Sequence, residues 1–417
     1  MEILSVNYSL PSALIIHKVL NMGKDYPPLT SVPGFSWLGI NLGIKDETLD
    51  FGVIASACIC TGAGVFTRNN FPGAPIIVGQ ENLQNGKLQV IVVNSKVANV
   101  ATGQVGIEDA RDICRWTGEA LGIAPELVLP SSTGVIGRRL PVKIIREGCQ
   151  IIPERLGSST EYIESFARAI MTTDRHPKWN STSVGNATLL GVAKGAGMIE
   201  PNMATMLCYF VTDAQLGSKE LQKMLQRVVN RSFNRVSIDS DTSTSDTVII
   251  LANGLAGPVD AEKFETAFTN SAVQLAKEIA HDGEGSTKLI ELTVSGAESQ
   301  QMALQIAKSI INSPLVKTAI HGADPNWGRF VMAVGKVFEY PVLLDDLSIH
   351  FGKGSQRQKV NAESLDADTV NLDAISKLLN KKEVHVEVVV GNGECSETVW
   401  GCDLSKGYIE ENAFYTT

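Results

Sequence analysis

Residues 191–210 read GVAKGAGMIEPNMATMLCYF and hold the densest group of chemically informative residues in the chain. A glycine-rich turn carries a lone lysine, Lys194, and a Pro201-Asn202 turn follows it. Thr205 lies where this second turn meets an apolar run that is typical of a strand. Glycine suits backbone with positive φ and threonine is common in strands, so a purely structural role accounts for the whole stretch.

A catalytic role for Thr205 is the alternative hypothesis. A threonine hydroxyl is a weak nucleophile unless a base lies beside it, and its own α-amine becomes that base once the preceding peptide bond is broken. A strained turn promotes attack of the Thr205 hydroxyl on the carbonyl of Ala204, an N-to-O acyl shift that ends in hydrolysis. A free α-amine has a pKa of about 7.7–8.0, so a useful fraction is neutral at cellular pH. The local sequence leaves both hypotheses open.

The rest of the chain alternates irregularly between strand-like and helix-like patterns. Short runs rich in Val and Ile predict buried strands. Apolar residues at helical spacing predict amphipathic helices over 221–229, over 264–275 behind an Asp260 cap, and over 302–310. Strands and helices without strict β-α-β alternation favour the α+β class. The predicted strands are Leu88–Asn94, Thr247–Asn253, Leu289–Val294, Phe330–Val334 and His385–Val390.

Composition excludes several classes of protein. The chain has 417 residues, 44% hydrophobic and 19% charged, which predicts roughly two to three globular domains. Its formal charge is −9, which disfavours nucleic acid as a partner. No apolar stretch reaches the roughly 18 residues of a membrane helix, and the N-terminus is too weakly apolar for a signal peptide. Seven scattered cysteines indicate reduced thiols in a cytoplasmic protein.

The common catalytic and metal-binding motifs are absent from the sequence. The six histidines lack ligand spacing and there is no CxxC pair, so no metal site is expected. There is no GxSxG motif, which excludes a nucleophile elbow. Gly283-Glu-Gly285-Ser-Thr-Lys288 does not form a phosphate loop, because its lysine follows the hydroxyl residues instead of preceding them.

The segment from Lys194 to Thr205 resembles the self-processing motif of the ornithine acetyltransferases, the bifunctional glutamate N-acetyltransferases of arginine biosynthesis. The likeness continues in order from about Val32 to the last residue, and this specificity favours the catalytic hypothesis for Thr205. The other matching segments are 132–141 (STGVIGRRLP), 171–174 (MTTD), 282–285 (DGEG), 324–329 (DPNWGR), 401–408 (GCDLSKGY) and 415–417 (YTT).

This resemblance implies a layered α/β/β/α sandwich, similar to N-terminal-nucleophile hydrolases but with a different connectivity. It also implies self-cleavage between Ala204 and Thr205. Residues 1–30 would form an extension, 31–204 an alpha chain with the oxyanion hole and part of the substrate site, and 205–417 a beta chain that begins at the nucleophile. The two chains would stay associated as a heterotetramer of two each.

The resemblance further implies a ping-pong transfer of acetyl from N2-acetylornithine to glutamate. Thr205 would be the nucleophile, while the Thr133 hydroxyl and the Gly134 N–H would form the oxyanion hole. No cofactor is expected; some family members also take acetyl from acetyl-CoA, and the sequence leaves that donor open. The implied substrate contacts are Thr172, with Thr173 as the alternative, Lys194, Thr205, Glu284, Asn412 and Thr417. Among these, Lys194 suits an α-carboxylate and Glu284 suits the ornithine amine.

Two departures from the family pattern keep other functions in play. Lys96 stands where a glycine is usual, and Ser245 where an asparagine is usual. A paralogue that acts on a different amino acid is therefore the main alternative. An amidohydrolase or aminopeptidase would use the same acyl-threonine chemistry with water as the acceptor. A self-cleaving scaffold protein would not need the polar set Thr133, Lys194 and Glu284.

Overall fold

The computed structural model describes residues 27–200, 206–361 and 370–414. Within these ranges the strands are β1 Phe35–Ile40, β2 Phe51–Phe66, β3 Lys87–Asn94, β4 Val128–Ser132, β5 Lys178–Val184, β6 Ala187–Lys194, β7 Leu207–Gln215, β8 Val236–Ser237, β9 Thr247–Pro258, β10 Leu289–Ala297, β11 Ser348–Phe351, β12 Gln358–Asn361, β13 Glu383–Val389 and β14 Cys395–Cys402. The helices are α1 Ala74–Asn82, α2 Gly103–Leu121, α3 Val142–Gln150, α4 Ile152–Arg155, α5 Thr160–Ala169, α6 Ser218–Arg231, α7 Ala261–His281, α8 Gln300–Ile311, α9 Pro314–His321, α10 Gly328–Gly335, α11 Leu372–Leu379 and α12 Lys406–Ala413.

The larger sheet has the strand order β4-β3-β2-β9-β7-β6-β5, and β1 pairs with the first half of β2. The pairs β3–β4 and β7–β9 are parallel, while the other pairs in this sheet are antiparallel. In the β6–β7 pair Lys194 lies opposite Leu207. The end of β6 and the start of β7 therefore meet at one edge of the sheet.

Both faces of the larger sheet are buried, which explains the near-continuous apolar strands. Along β7, Leu207, Tyr209 and Val211 pack into the core cluster that contains α5. The intervening Cys208 and Phe210 pack into the cluster formed with α6 and α7. This alternation follows from the two-residue period of a strand.

The smaller sheet has the order β12-β11-β13-β10-β14-β8. Its core is shared with helices α8 to α11. Side chains at the ends of β10 and β14, namely Leu289, Trp400 and Cys402, pack instead into the cluster of α6 and α7. Helix α7 thus contacts both sheets and brings the loop that follows it, residues 282–288, against the edge of the larger sheet.

The predicted α+β class is confirmed, together with most of the predicted elements. The runs at 88–94, 247–253, 289–294 and 385–390 lie within β3, β9 and β10 or overlap β13. The Asp260 cap is confirmed, because its side chain accepts hydrogen bonds from the Glu262 and Lys263 amides. The prediction of a strand at Phe330–Val334 is wrong: this run lies in helix α10, which buries Phe330, Ala333 and Val334. A five-residue apolar run fits either structure, and here the i, i+3, i+4 face packs against the core.

Only the end of the predicted 1–30 extension lies within the described residues. The carbonyl of Pro27 accepts a hydrogen bond from Trp179 Nε1 at 3.0 Å, and that of Pro28 from Ser181 Oγ at 2.7 Å. Residues 27 and 28 therefore lie along strand β5. No helix in the described parts of the chain has the length and hydropathy of a membrane span.

Candidate active site

A cavity of about 120 Å³ lies where the ends of several elements of the larger sheet meet the loop after α7 and helix α12. We call it the site cavity. Its wall contains six of the residues that the sequence predicted for the site, together with the alternative contact Thr173. These six residues are Thr133, Gly134, Thr172, Lys194, Glu284 and Asn412.

Three predicted site residues, Ala204, Thr205 and Thr417, lie outside the described residues. The chain that follows Thr205 is described, and its first two residues, Met206 and Leu207, line the site cavity. The predicted nucleophile is thus adjacent in sequence to the wall that holds the other predicted residues.

The turn after β4 carries the two predicted oxyanion residues. The amide of Thr133 donates to the Asn94 carbonyl at 3.0 Å, which anchors the turn to β3. Gly134 has φ +130°, and a Cβ on it would lie 2.2 Å from the carbonyl carbon of Lys96, so the turn requires glycine. Among the described residues, no acceptor is bound by the Gly134 N–H or by the Thr133 hydroxyl. Within the described part of the chain, both of these donors are therefore unpaired.

Lys194, the last residue of β6, provides a cation in the wall of the site cavity. Its Nζ donates to the Thr172 hydroxyl at 3.2 Å. Burial lowers the pKa of Lys194, although Asp174 opposes that effect. A half-buried ammonium whose hydrogen-bond partner is neutral is stabilised by an incoming anion, which suits a carboxylate ligand.

Asp174 holds this wall in place. Its carboxylate accepts hydrogen bonds from the amides of Thr172 at 3.0 Å and Gly195 at 2.6 Å, and from Lys178 Nζ at 2.7 Å. Burial alone would raise the pKa of Asp174, but the charges of Lys178 and Lys194 outweigh it, so the pKa lies below its usual value. Asp174 therefore carries a negative charge, and its hydrogen bonds fix the backbone at Thr172 and at Gly195, next to Lys194.

Glu284 projects from the loop after α7 and is only 8% exposed. Its amide donates to the Ala196 carbonyl at 2.8 Å, and its carboxylate accepts a hydrogen bond from Asn412 Nδ2 at 2.7 Å. A Cβ added at Gly197 would lie 2.3 Å from this carboxylate. Because Gly197 has no side chain, the Glu284 carboxylate has the space to face the cavity.

The two departures from the family pattern differ in their relation to the site cavity. Lys96 has φ +79°, a conformation that favours glycine, and its carbonyl accepts the Val135 amide at 2.9 Å. Its side chain approaches Asp46 at 4.0 Å and does not line the cavity. Ser245, in contrast, belongs to the cavity wall.

Sequence reasoning missed a second anchoring carboxylate, Asp239. It accepts hydrogen bonds from the amides of Met198 at 2.6 Å and Ile199 at 2.7 Å. Burial raises the pKa of Asp239, and its three backbone hydrogen bonds offset this only in part. Asp239 is four residues before the 243–246 stretch that also lines the cavity, and no spacing in the sequence relates it to Met198. Among the described residues, no group of three His, Cys, Asp or Glu side chains could hold a metal ion.

A family model, that of the ArgJ family, matches residues 36–417, which is most of the chain. The chain belongs to the ArgJ family. The arginine biosynthesis bifunctional protein ArgJ 2 of Clostridium acetobutylicum is 49% identical over 388 residues, which cover 92% of this chain and 97% of that protein. Glutamate N-acetyltransferase Oat2 of Streptomyces clavuligerus is 44% identical over 378 residues, covering 90% and 95%. The family and the acyltransferase class predicted from the sequence are therefore confirmed.

The chain is also similar in sequence to a member of the family whose structure has been solved. The ornithine acetyltransferase of Mycobacterium tuberculosis, solved in complex with ornithine, is 32% identical. That match covers 42% of this chain and 94% of the other, with a TM-score of 0.38.

Proposed function

We propose that this chain transfers the acetyl group of N2-acetylornithine to glutamate in arginine biosynthesis. The names of its relatives in Clostridium acetobutylicum and Streptomyces clavuligerus support that reaction. One observation carries the proposal at the level of residues: six predicted site residues, far apart in sequence, line one small cavity. Four of them precede the proposed cut at Ala204–Thr205 and two follow it, so each product chain supplies part of the wall.

The proposed chemistry begins with self-cleavage. The Thr205 hydroxyl attacks the Ala204 carbonyl, the C–N bond breaks, and hydrolysis of the ester leaves a free α-amine on Thr205. That amine then accepts the hydroxyl proton as Thr205 attacks the acetyl carbonyl of N2-acetylornithine. Charge develops on the carbonyl oxygen, where the Thr133 hydroxyl and the Gly134 N–H can donate; losing one such donor raises the barrier by about 3–4 kcal/mol.

The second half of the reaction reverses the first with another amine. Collapse of the intermediate breaks the amide C–N bond, the proton passes to the leaving nitrogen, and ornithine departs from an acetyl ester on Thr205. The α-amine of glutamate attacks that ester, and its proton returns to the Thr205 oxygen as N-acetylglutamate forms. Because both amines carry an α-carboxylate, one cation at Lys194 can orient each substrate in turn.

The ornithine end of the substrate is assigned to Glu284. Its buried carboxylate suits a side-chain ammonium, and Asn412 fixes its orientation through the 2.7 Å hydrogen bond. We also infer contacts from Thr172 and Thr417. Thr172 is preferred over its neighbour Thr173, because its hydroxyl contacts Lys194 directly.

We further propose the assembly that the family resemblance implies. Residues 31–204 and 205–417 act as associated alpha and beta chains in a heterotetramer of two each, arranged in an α/β/β/α sandwich. No cofactor is needed for the cyclic transfer, whereas acetyl-CoA would be a second donor in a bifunctional enzyme. The pathway role implies a cytoplasmic location.

The decisive experiment supplies purified protein with N2-acetylornithine and glutamate, without acetyl-CoA, and measures N-acetylglutamate and intact mass. Wild type is expected to appear as two fragments split before Thr205 and to form product only when glutamate is present. Thr205→Ala is expected to stay full-length and inactive, because it lacks both the attacking oxygen and the free threonine amine.

Other outcomes assign the chain elsewhere. A split protein that makes no product keeps the acyl-threonine chemistry but points to a different amino acid as substrate. Acetate released without glutamate would identify a hydrolase. An active or processed Thr205→Ala protein would remove the proposed mechanism altogether, and product from acetyl-CoA plus glutamate would add the second donor.

A further inference from the structure

The geometry assigns a positioning role to Arg175 and Lys178, which hold the loop that carries Glu284 against the wall that carries Thr172 and Lys194. We call the two residues, with their acceptors Asp282 and Ser286, the clamp. The inference rests on the proposed acetyl transfer, because Glu284 and Lys194 are the groups that it positions.

Arg175 donates hydrogen bonds to the loop that carries Glu284, both before and after Glu284 in sequence. Its guanidinium donates to Asp282 Oδ1 at 2.9 Å and to the His281 carbonyl at 3.1 Å on the near side. On the far side it donates to the carbonyl and the hydroxyl of Ser286, each at 3.0 Å. The Arg175 amide also donates to Asp282 Oδ2 at 3.1 Å. The planar fork of arginine suits such a multiple contact, which a lysine could not reproduce.

Lys178 joins the same loop to the Lys194 wall. Its side chain is fully buried, and its Nζ donates to Asp174 at 2.7 Å and to Asp282 at 2.6 Å. Asp174 in turn accepts the amides of Thr172 and Gly195. Burial would lower the pKa of Lys178, but the two carboxylates outweigh it and raise the pKa, so the bridge is ionic.

The clamp spans the two product chains of the proposed cleavage. Arg175, Lys178 and Asp174 precede the Ala204–Thr205 bond, whereas Asp282 and Ser286 follow it. After cleavage, covalent continuity no longer limits how far Glu284 can move from Lys194. A buried charged bridge with good geometry is costly to break from one side, so it keeps the two walls in register.

The relevant effect is on substrate affinity more than on the chemical step. None of the four clamp residues lines the site cavity, and none of the clamp hydrogen bonds involves Thr133 or Gly134. Loosening the clamp displaces the two groups that hold the ends of the substrate, while the oxyanion donors keep their anchors. The inference therefore predicts a raised KM with a nearly preserved kcat.

Arg175→Met is the variant of choice, because the Arg175 side chain is 48% exposed and tolerates a smaller replacement. We expect its KM for N2-acetylornithine to rise about tenfold while kcat changes less than about threefold. Amide hydrogen exchange over 281–286 should become faster in the same protein. Arg175→Lys keeps one charge contact to Asp282 and should recover part of the affinity.

Arg227→Met is the matched control. Arg227 is 46% exposed and binds the Glu265 carboxylate through two hydrogen bonds of 2.8 and 2.6 Å, both partners lying after the proposed cut. Its kinetic constants and the exchange over 281–286 should equal those of wild type. Equal KM and equal exchange in Arg175→Met and Arg227→Met would overturn the clamp.

A second pair of variants distinguishes loss of the clamp from a general loss of stability. Lys178→Met removes the buried bridge, and Lys288→Met removes another buried lysine, whose Nζ donates to three backbone carbonyls away from the cavity. Separation of the two fragments at a lower urea concentration in Lys178→Met than in Lys288→Met supports the clamp, and equal concentrations contradict it. If wild type makes no N-acetylglutamate, the proposed function fails, while exchange and fragment separation still decide the clamp.

Discussion

The site cavity and a second, larger concavity of the described chain differ in volume by a factor of about ten, and they also differ in the charge pairing of their walls. The larger one, which we call the groove, measures about 1360 Å³ and lies between α6 and α8, whereas the cavity measures about 120 Å³. The groove contains none of the predicted site residues. Its cationic side chains are Arg227, Arg231, Arg235, Lys308 and Lys336.

The two regions differ in the partners of particular cationic side chains. In the groove, Arg235 pairs with Glu397 at 3.0 Å and Lys308 approaches Glu200 at 3.7 Å. In the cavity, Lys194 has a neutral hydrogen-bond partner, and the turn that holds Thr133 and Gly134 presents two donors with no acceptor among the described residues. Available polar groups around a small space, rather than volume, therefore mark the site.

The largest expected effect is on kcat, and it should differ between a threonine of the site cavity and a threonine of the groove. Thr133→Ala removes one oxyanion donor and should lower kcat by about 10²–10³-fold with little change in KM. Thr398→Ala in the groove, whose hydroxyl contacts Thr293 at 2.9 Å, should leave kcat unchanged. Steady-state kinetics on both variants provide the check. A Thr133→Ala enzyme as fast as wild type would mean that another group stabilises the oxyanion.

A smaller effect is expected from filling the space beside Glu284. The new methyl of Gly197→Ala would meet the Glu284 carboxylate at 2.3 Å, so the carboxylate must shift, and KM for N2-acetylornithine should rise about tenfold. Gly217→Ala, at the N-cap of α6, meets nothing within 4 Å and serves as the control. Substrate titration of both enzymes tests this, and equal KM values would argue against the role assigned to Glu284.

The smallest effect on activity is expected for a substitution of Lys308 in the groove. This substitution should instead change how the free energy of unfolding depends on pH. Burial lowers the pKa of Lys308 from 10.5 to about 8, and Glu200 only partly offsets it. Between these two values the unfolded chain binds more protons than the folded chain, so the free energy of unfolding contributed by Lys308 rises with pH.

Lys308→Met should abolish that rise, which is on the order of 1 kcal/mol, and leave kcat unchanged. Urea unfolding of both proteins at about pH 8 and about pH 10 measures it. Parallel pH dependence in the two proteins would show that Lys308 is protonated in the fold throughout this range. A large loss of kcat would instead make the groove part of the catalytic machinery and erase the contrast with the cavity.

Several elements could be predicted from the sequence because their signals are local. The β3 and β9 runs are long, rich in Val and Ile, and bounded by polar residues, while Asp260 caps α7 through its own neighbours. The run at Phe330–Val334 does not reveal its helical structure in the sequence, because five consecutive apolar residues have no periodicity of their own. Only packing against the core of the smaller sheet selects the helical face.

The site divides in the same way. The sequence by itself determined the reactive residue types, because each motif is contiguous and its resemblance to one family is specific. Only the tertiary structure decided which of them meet: Arg175 contacts Asp282 across 107 positions, and Asn412 contacts Glu284 across 128. Such contacts depend on how α7 bridges the two sheets. The opposite charges that these contacts bring together outweigh burial and keep Asp174 and Lys178 charged. Local sequence patterns encode neither these contacts nor these charge states, because both depend on how distant segments of the chain pack together.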